Sequence, residues 1–223
     1  MTLSVFLLNT AFAQRTFYGT VEYTYEITGP EAAMMAMMMP QKMVIQYGKS
    51  GMSTSMEGGM MSGMLGRMVV NSKTNETFSI KDSEKAVYMM DNGEVEKAQK
   101  AVDGQVDKPE KLSETADILG YTCQKYRVLT KTPQGNLEQF IWATDELAVP
   151  DMAMPDNPAM GALNLGVDGM PLKVEIALPG TSSKMIMLAS SIDATEPDEN
   201  LFVRPESYKV KKFSDLMPAG MGF

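Results

Sequence analysis

Between Lys42 and Met90 the chain offers five short β-like segments, Lys42–Tyr47, Gly51–Met56, Arg67–Asn71, Glu76–Lys81 and Lys85–Met90. Links such as Ser72-Lys73-Thr74-Asn75 and Lys81-Asp82-Ser83-Glu84 can make a hairpin turn. They are too short for the crossover that parallel neighbours require. These segments therefore read as an antiparallel meander, and that reading restricts the fold more than any other feature.

The flanking sequence extends the same pattern. From Arg15 to Ile27 the residues alternate, with Phe17, Val21, Tyr23, Tyr25 and Ile27 on one face and Tyr18, Thr20, Glu22, Thr24 and Glu26 on the other, as in a half-buried strand. Further strands are expected at Thr122–Thr130, Leu137–Thr144, Lys173–Leu178 and Ser183–Ser191, with hairpin loops at Pro133-Gln134-Gly135-Asn136 and Pro179-Gly180-Thr181. Glu31–Met39, set between Pro30 and Pro40, predicts a short helix. It is apolar almost all round, so it should be covered, as a plug or lid against the sheet. A second short helix is expected from Asn157-Pro158 through Leu165. Asp91-Asn92-Gly93 reads as a tight turn, and Glu94–Lys111 as a charged excursion on the surface. About ten strands and two short helices make a mainly β, antiparallel α+β protein with its helices on one side.

The first thirteen residues read as the remnant of an export signal: an apolar run from Leu3 to Leu8, then Ala11-Phe12-Ala13 ahead of Gln14. The basic segment that normally opens such a signal is missing, which predicts a start further upstream. No cysteine follows the cleavage pattern, so lipid attachment there is not expected. The product reads as one domain over residues 14–223, exported, most simply periplasmic, with secretion as the alternative.

Formal charge is −8 with a pI near 4.7. Such a chain is repelled by phosphate backbones, which argues against nucleic acid as a partner. The chain has no histidine. That removes imidazole bases, the nucleophilic triads built on them, and the commonest zinc and copper(II) ligand. No catalytic residue, cofactor or histidine-type metal site is predicted, and the chain is not expected to be an enzyme. Gly48-Lys49-Ser50 resembles the end of a phosphate loop, but Met43 stands where that motif needs glycine. Asp145 and Glu146 are expected at a helix start, where they favour the dipole, rather than as an acid–base pair. Trp142 with Phe140, and Tyr126 with Val128, read as core, and the single cysteine, Cys123, as a buried small hydrophobe.

Twelve methionines fall between Met34 and Met68, and five of them, Met52, Met56, Met60, Met64 and Met68, recur every four residues. That spacing puts all five on one face of either a strand or a helix. Burying a methionine is worth roughly 1.5–3 kcal/mol, so five left in water would forgo on the order of 10 kcal/mol, comparable with the stability of a domain. Gly58, Gly59, Gly63 and Gly66 interrupt the stripe and weaken both helix and strand, which predicts a mobile flap or wide hairpin end. Three uses remain open: packing, the lining of a cavity for apolar ligands, and a thioether site for copper(I), which accepts neutral sulfur donors.

Three segments carry a resemblance. They are Gly120-Tyr121-Thr122-Cys123-Gln124-Lys125-Tyr126 followed by Ile141-Trp142-Ala143-Thr144-Asp145-Glu146-Leu147; then Gly169-Met170-Pro171-Leu172-Lys173-Val174-Glu175; then Leu201-Phe202-Val203-Arg204-Pro205-Glu206-Ser207-Tyr208-Lys209. Their order and spacing resemble an envelope family, filed as a domain of unknown function, within the LolA-like or lipoprotein-carrier superfamily. The resemblance implies a half-barrel: one strongly curved antiparallel sheet with helices over its concave face, where carrier members hold acyl chains. It brings no catalytic residues. The expected function is non-enzymatic binding of lipid or another apolar ligand in a Met-lined cavity formed by Met52, Met56, Met60, Met64 and Met68. A copper(I)-binding protein and a structural protein with an envelope partner are the alternatives.

Overall fold

A computed structural model of the protein describes residues 15–91, 93, 106–132, 135–150, 166–178 and 180–216, with Met60, Met61, Thr132 and Gly135 described in backbone only. The expected leader, the helix over Asn157–Leu165 and most of the excursion from Glu94 lie outside them.

The meander forms as its turns require. Strands β3 (Lys42–Tyr47), β4 (Gly51–Glu57), β5 (Arg67–Asn71), β6 (Glu76–Lys81) and β7 (Ala86–Met90) pair in sequence order, all antiparallel. The expected N-terminal strand is broken in two. Arg15–Thr16 (β1) leaves the main sheet to pair in parallel with Leu147–Ala148 (β11), while Gly19–Thr28 (β2) pairs with β3. Strand β2 also pairs with β13 (Lys184–Asp193), and the sheet continues through β12 (Met170–Ala177), β10 (Gly135–Thr144) and β9 (Tyr121–Thr132) to β8 (Glu110–Ile118). The result is a single twelve-stranded, strongly curved antiparallel sheet with one parallel edge strand, β14 (Lys209–Lys212), against β7. Within this sheet its two halves are joined through the β2–β13 pair.

Two short helices complete the described fold, α1 (Ala32–Met38) and α2 (Gly59–Leu65). The second occupies the Met/Gly stretch, where a flap was expected. Asp145 and Glu146 start no helix. The chain bends there into β11, with the Thr144 hydroxyl oxygen accepting from the Glu146 N–H at 3.3 Å. Strand β8 begins inside the stretch read as a surface excursion and is mostly exposed. As the last strand of the sheet it packs only toward its end, where Ala116 and Ile118 meet the main core.

The N-terminal half is buried on its inner face and, over β5 to β7, on its outer face as well. On the inner face, Tyr23, Met43, Ile45, Tyr47 and Met52 join residues of the C-terminal half in the main core. On the outer face, Val69, Phe78, Ile80 and Val87 are covered by Phe202, which is completely buried. The segment carrying Phe202 is held by side chains on the strands beneath it. Asn71 Nδ2 donates to the Phe202 carbonyl at 3.0 Å and Arg67 to that of Leu201 at 2.6 Å. The Gly48-Lys49-Ser50 turn proves to be a docking point for the same segment. The Ser50 hydroxyl and the Lys49 N–H donate to the Glu199 carboxylate, and these bonds, with Lys73 nearby, hold its pKa below the ordinary value.

After Phe202 the chain passes round the β7 edge as β14. Lys211 lies 3.3 Å from Glu84, whose carboxyl is held at about 2 by Lys81, Tyr88 and Lys211. Beyond the edge, Phe213 and Leu216 pack on the inner face against Met68, Ala86 and Tyr88.

Candidate functional site

Where the two halves of the sheet join, the register stacks apolar side chains on the inner face. Met187 lies opposite both Tyr25 and Val174, and Met185 lies opposite Ile176. These five, with Met56 from β4, form the floor and wall of a cavity of about 150 Å³. The roof comes from the helices: Met39 and Pro40, just after α1, and Leu65, the last residue of α2.

The roof is tied down at both ends. Ser183, just before β13, donates to the Glu31 carboxylate at 2.5 Å, and the Ser79 hydroxyl donates to the Leu65 carbonyl. Between the helices the backbones nearly touch. A Cβ on Gly59 would stand 2.1 Å from the Met39 carbonyl oxygen, and Gly59 has φ +66°. Only glycine lets α2 start so close to the end of α1.

The first helix was expected to be covered, and it is not. Met34, Met37 and Met38 are 66%, 76% and 53% exposed. A helix of two turns turns one side to the sheet, so these three face water while Met39 and Pro40 reach the cavity.

The five methionines of the stripe are dispersed by α2. Met52, Met56 and Met68 share the inner face of adjacent strands, because Met52 lies opposite Val70 and Met68 opposite Thr54. Met52 is buried in the main core, Met56 lines the cavity, and Met68 packs with Phe213 and Leu216. Met64 is half-buried on α2, and the Met60 side chain lies outside the described residues. The remaining lining residues, Tyr25, Val174, Ile176, Met185 and Met187, were legible as one parity of three expected strands, but nothing local says that these strands adjoin.

The chemistry of the cavity is apolar. Its one polar lining group is the Tyr25 hydroxyl, which donates to Met43 Sδ at 3.3 Å. Burial pushes Tyr25 up to about 12 from 10.0 and pushes Tyr23 and Tyr47 higher still. Tyrosine is neutral below its pKa, so the stability these groups contribute is fully present below pH 10, the unfolded range. It is withdrawn as pH rises through the folded values. Base unfolding is therefore expected to begin above pH 10, with a second tyrosinate absorbance step that coincides with loss of the sheet's circular dichroism. Full tyrosinate absorbance with the dichroism intact would contradict this.

Other places offer less. On the outer face Trp142 is flanked by the Lys125 and Lys173 ammonium groups, 5.1 and 4.3 Å from its ring centroid. Both lysines are also ion-paired, to Glu114 at 3.3 Å and Glu175 at 2.6 Å, so the ring is covered rather than open. Cys123 is fully buried, and burial pushes its thiol up to about 11, away from nucleophilic use. Among the described residues no three His, Cys, Asp or Glu side chains gather as a metal site, and no helix is long and apolar enough to cross a membrane.

No curated protein matches the chain. Solved structures similar to it include a DUF1329 family protein from Desulfovibrio piger, with 10% identity, TM-score 0.36, and 85% of this chain and 90% of that one covered. A domain assigned to outer membrane lipoprotein sorting in Vibrio parahaemolyticus has 10% identity, TM-score 0.31, and coverage of 82% and 89%. An exported protein by assignment, with a YmcC-like fold, from Bacteroides fragilis has 12% identity, TM-score 0.33, and coverage of 80% and 100%. Likenesses at this level assign neither ligand nor partner. The sequence itself is more specific: residues 27–208 match the family described as domain of unknown function DUF4412, and the chain belongs to that family.

Proposed function

We propose that this chain is a non-enzymatic protein of the cell envelope that holds a lipid acyl chain or another apolar small molecule between its curved sheet and its two short helices. The supporting observation is the cavity under Met39, Pro40 and Leu65, whose one polar group, the Tyr25 hydroxyl, is already engaged. Its volume would accept a group about the size of benzene. A longer chain would enter by its end, or by parting α1 from α2. A site of this kind has no acid, base or nucleophile with which to do chemistry. The export pattern at Ala11-Phe12-Ala13 supports an envelope location, most simply the periplasm.

Native extraction tests the reading. Protein purified without detergent and extracted into organic solvent is expected to release lipid or fatty acid in near-stoichiometric amount. An empty extract from folded protein would count decisively against it.

One observation favours a second reading. Four of the lining residues, Met39, Met56, Met185 and Met187, carry thioether sulfur, the donor that copper(I) accepts without deprotonation. An anaerobic copper(I) titration against a competing chelator separates the two, and affinity no tighter than micromolar removes copper.

A further inference from the structure

On α1, Met34, Met37 and Met38 stand at i, i+3 and i+4, which places them on one helical face, and they are 66%, 76% and 53% exposed. Among the described residues no other methionine is as open. Met43, Met52, Met68, Met170 and Met187 are at most 6% exposed, and Met39, Met56 and Met185 of the cavity are half-buried.

Neither packing nor helix formation asks for sulfur at the three open positions. These side chains bury little, and leucine favours a helix as well as methionine does. What a thioether adds in water is reactivity, since it takes up one oxygen to become a sulfoxide, the more readily the more it is exposed. The single thiol does not compete, because Cys123 is fully buried.

The consequence of oxidation depends on place. On α1 a sulfoxide oxygen enters water and removes no burial from the fold. In the cavity the same oxygen would stand among apolar groups, where the one polar lining group, the Tyr25 hydroxyl, is already engaged with Met43. The helix runs directly into the roof residues Met39 and Pro40, so the open sulfurs sit on the element next to the thioethers that oxidation would harm.

We propose that the outward face of α1 is a sacrificial oxidation site, at which Met34, Met37 and Met38 consume small two-electron oxidants such as hypochlorous acid and so spare the cavity thioethers of Met39, Met56, Met185 and Met187. Each sulfur loses two electrons and gains one oxygen, while hypochlorous acid is reduced to chloride and one proton is released. The role goes beyond the apolar-ligand reading and does not depend on what fills the cavity.

The test treats the full chain with hypochlorous acid at one equivalent per open α1 sulfur and maps the sulfoxides by peptide mass spectrometry. Met34, Met37 and Met38 are expected to carry about tenfold more sulfoxide than Met43, Met52, Met170 and Met187. In a variant combining Met34→Leu, Met37→Leu and Met38→Leu, sulfoxide at Met39, Met56, Met185 and Met187 is expected to rise about threefold or more at the same dose. If the leucines make the variant associate, Met34→Gln, Met37→Gln and Met38→Gln repeat the comparison with a helix former of similar strength that has no sulfur. Equal oxidation of the α1 and core methionines in the unmodified protein overturns the site. Preferential oxidation of α1 with no rise at the cavity methionines in the variant overturns the protection.

Discussion

Replacing Phe202 by alanine is expected to lower the free energy of unfolding by about 3–5 kcal/mol, a large fraction of a domain's stability. The ring is fully buried on the outer face among Val69, Phe78, Ile80 and Val87, with Met89, Leu201 and Tyr208 packed around that cluster. It also rests on bare backbone. A Cβ on Gly48 would stand 2.1 Å from Phe202 Cε2, and one on Gly51 would meet Phe202 Cβ at 2.9 Å. Gly48→Ala should therefore destabilise the unmodified protein by pushing the ring aside, and should cost less in the Phe202→Ala background, where the new methyl occupies part of the void. The coupling is expected within 0.5–3 kcal/mol, as for residues in contact, and urea unfolding of the four proteins measures it. Additive losses would mean that the ring does not sit on the glycine.

Met187→Ala is the second large effect. Met187 is 3% exposed and lies at the centre of the cavity floor, opposite both Tyr25 and Val174. Truncation should cost about 2–5 kcal/mol through lost burial and an enlarged void. If the cavity is a binding site, that void is occupiable. An apolar ligand at a hundred times its dissociation constant should then return about 2.7 kcal/mol to the variant. Thermal unfolding of Met187→Ala with and without n-octanol reads this directly, and a melting temperature indifferent to ligand would mark Met187 as plain core.

The strands of the meander were legible because their signals are local: alternation along Lys42–Tyr47 and turn chemistry at Ser72–Asn75 act within a few residues. The covering elements were not. The helix α2 consists of Gly, Met, Ser and Leu with weak intrinsic preference, and it forms where the β4–β5 connection must cross the mouth of the cavity. Strand β14 reads as a basic run and is a strand because the β7 edge offers it unpaired backbone groups. Of the candidate site, Met56, the end of the first helix and the inward parity of the floor strands were legible, but not that those strands adjoin. Its floor depends on β2 pairing with β13, and the pair Tyr25–Met187 brings together residues that no short window contains.

The passage of the C-terminal segment from one side of the sheet to the other governs the order in which the molecule can fold. Strands β5 to β7 are made early, yet their outer face waits for Phe202 and their inner face for Phe213 and Leu216. Until that segment is made, the early hairpins have apolar side chains uncovered on both sides, which invites aggregation. Closure of the core thus waits for the segment from Phe202 to Leu216, and a chain shortened before Phe202 should be insoluble rather than merely less stable.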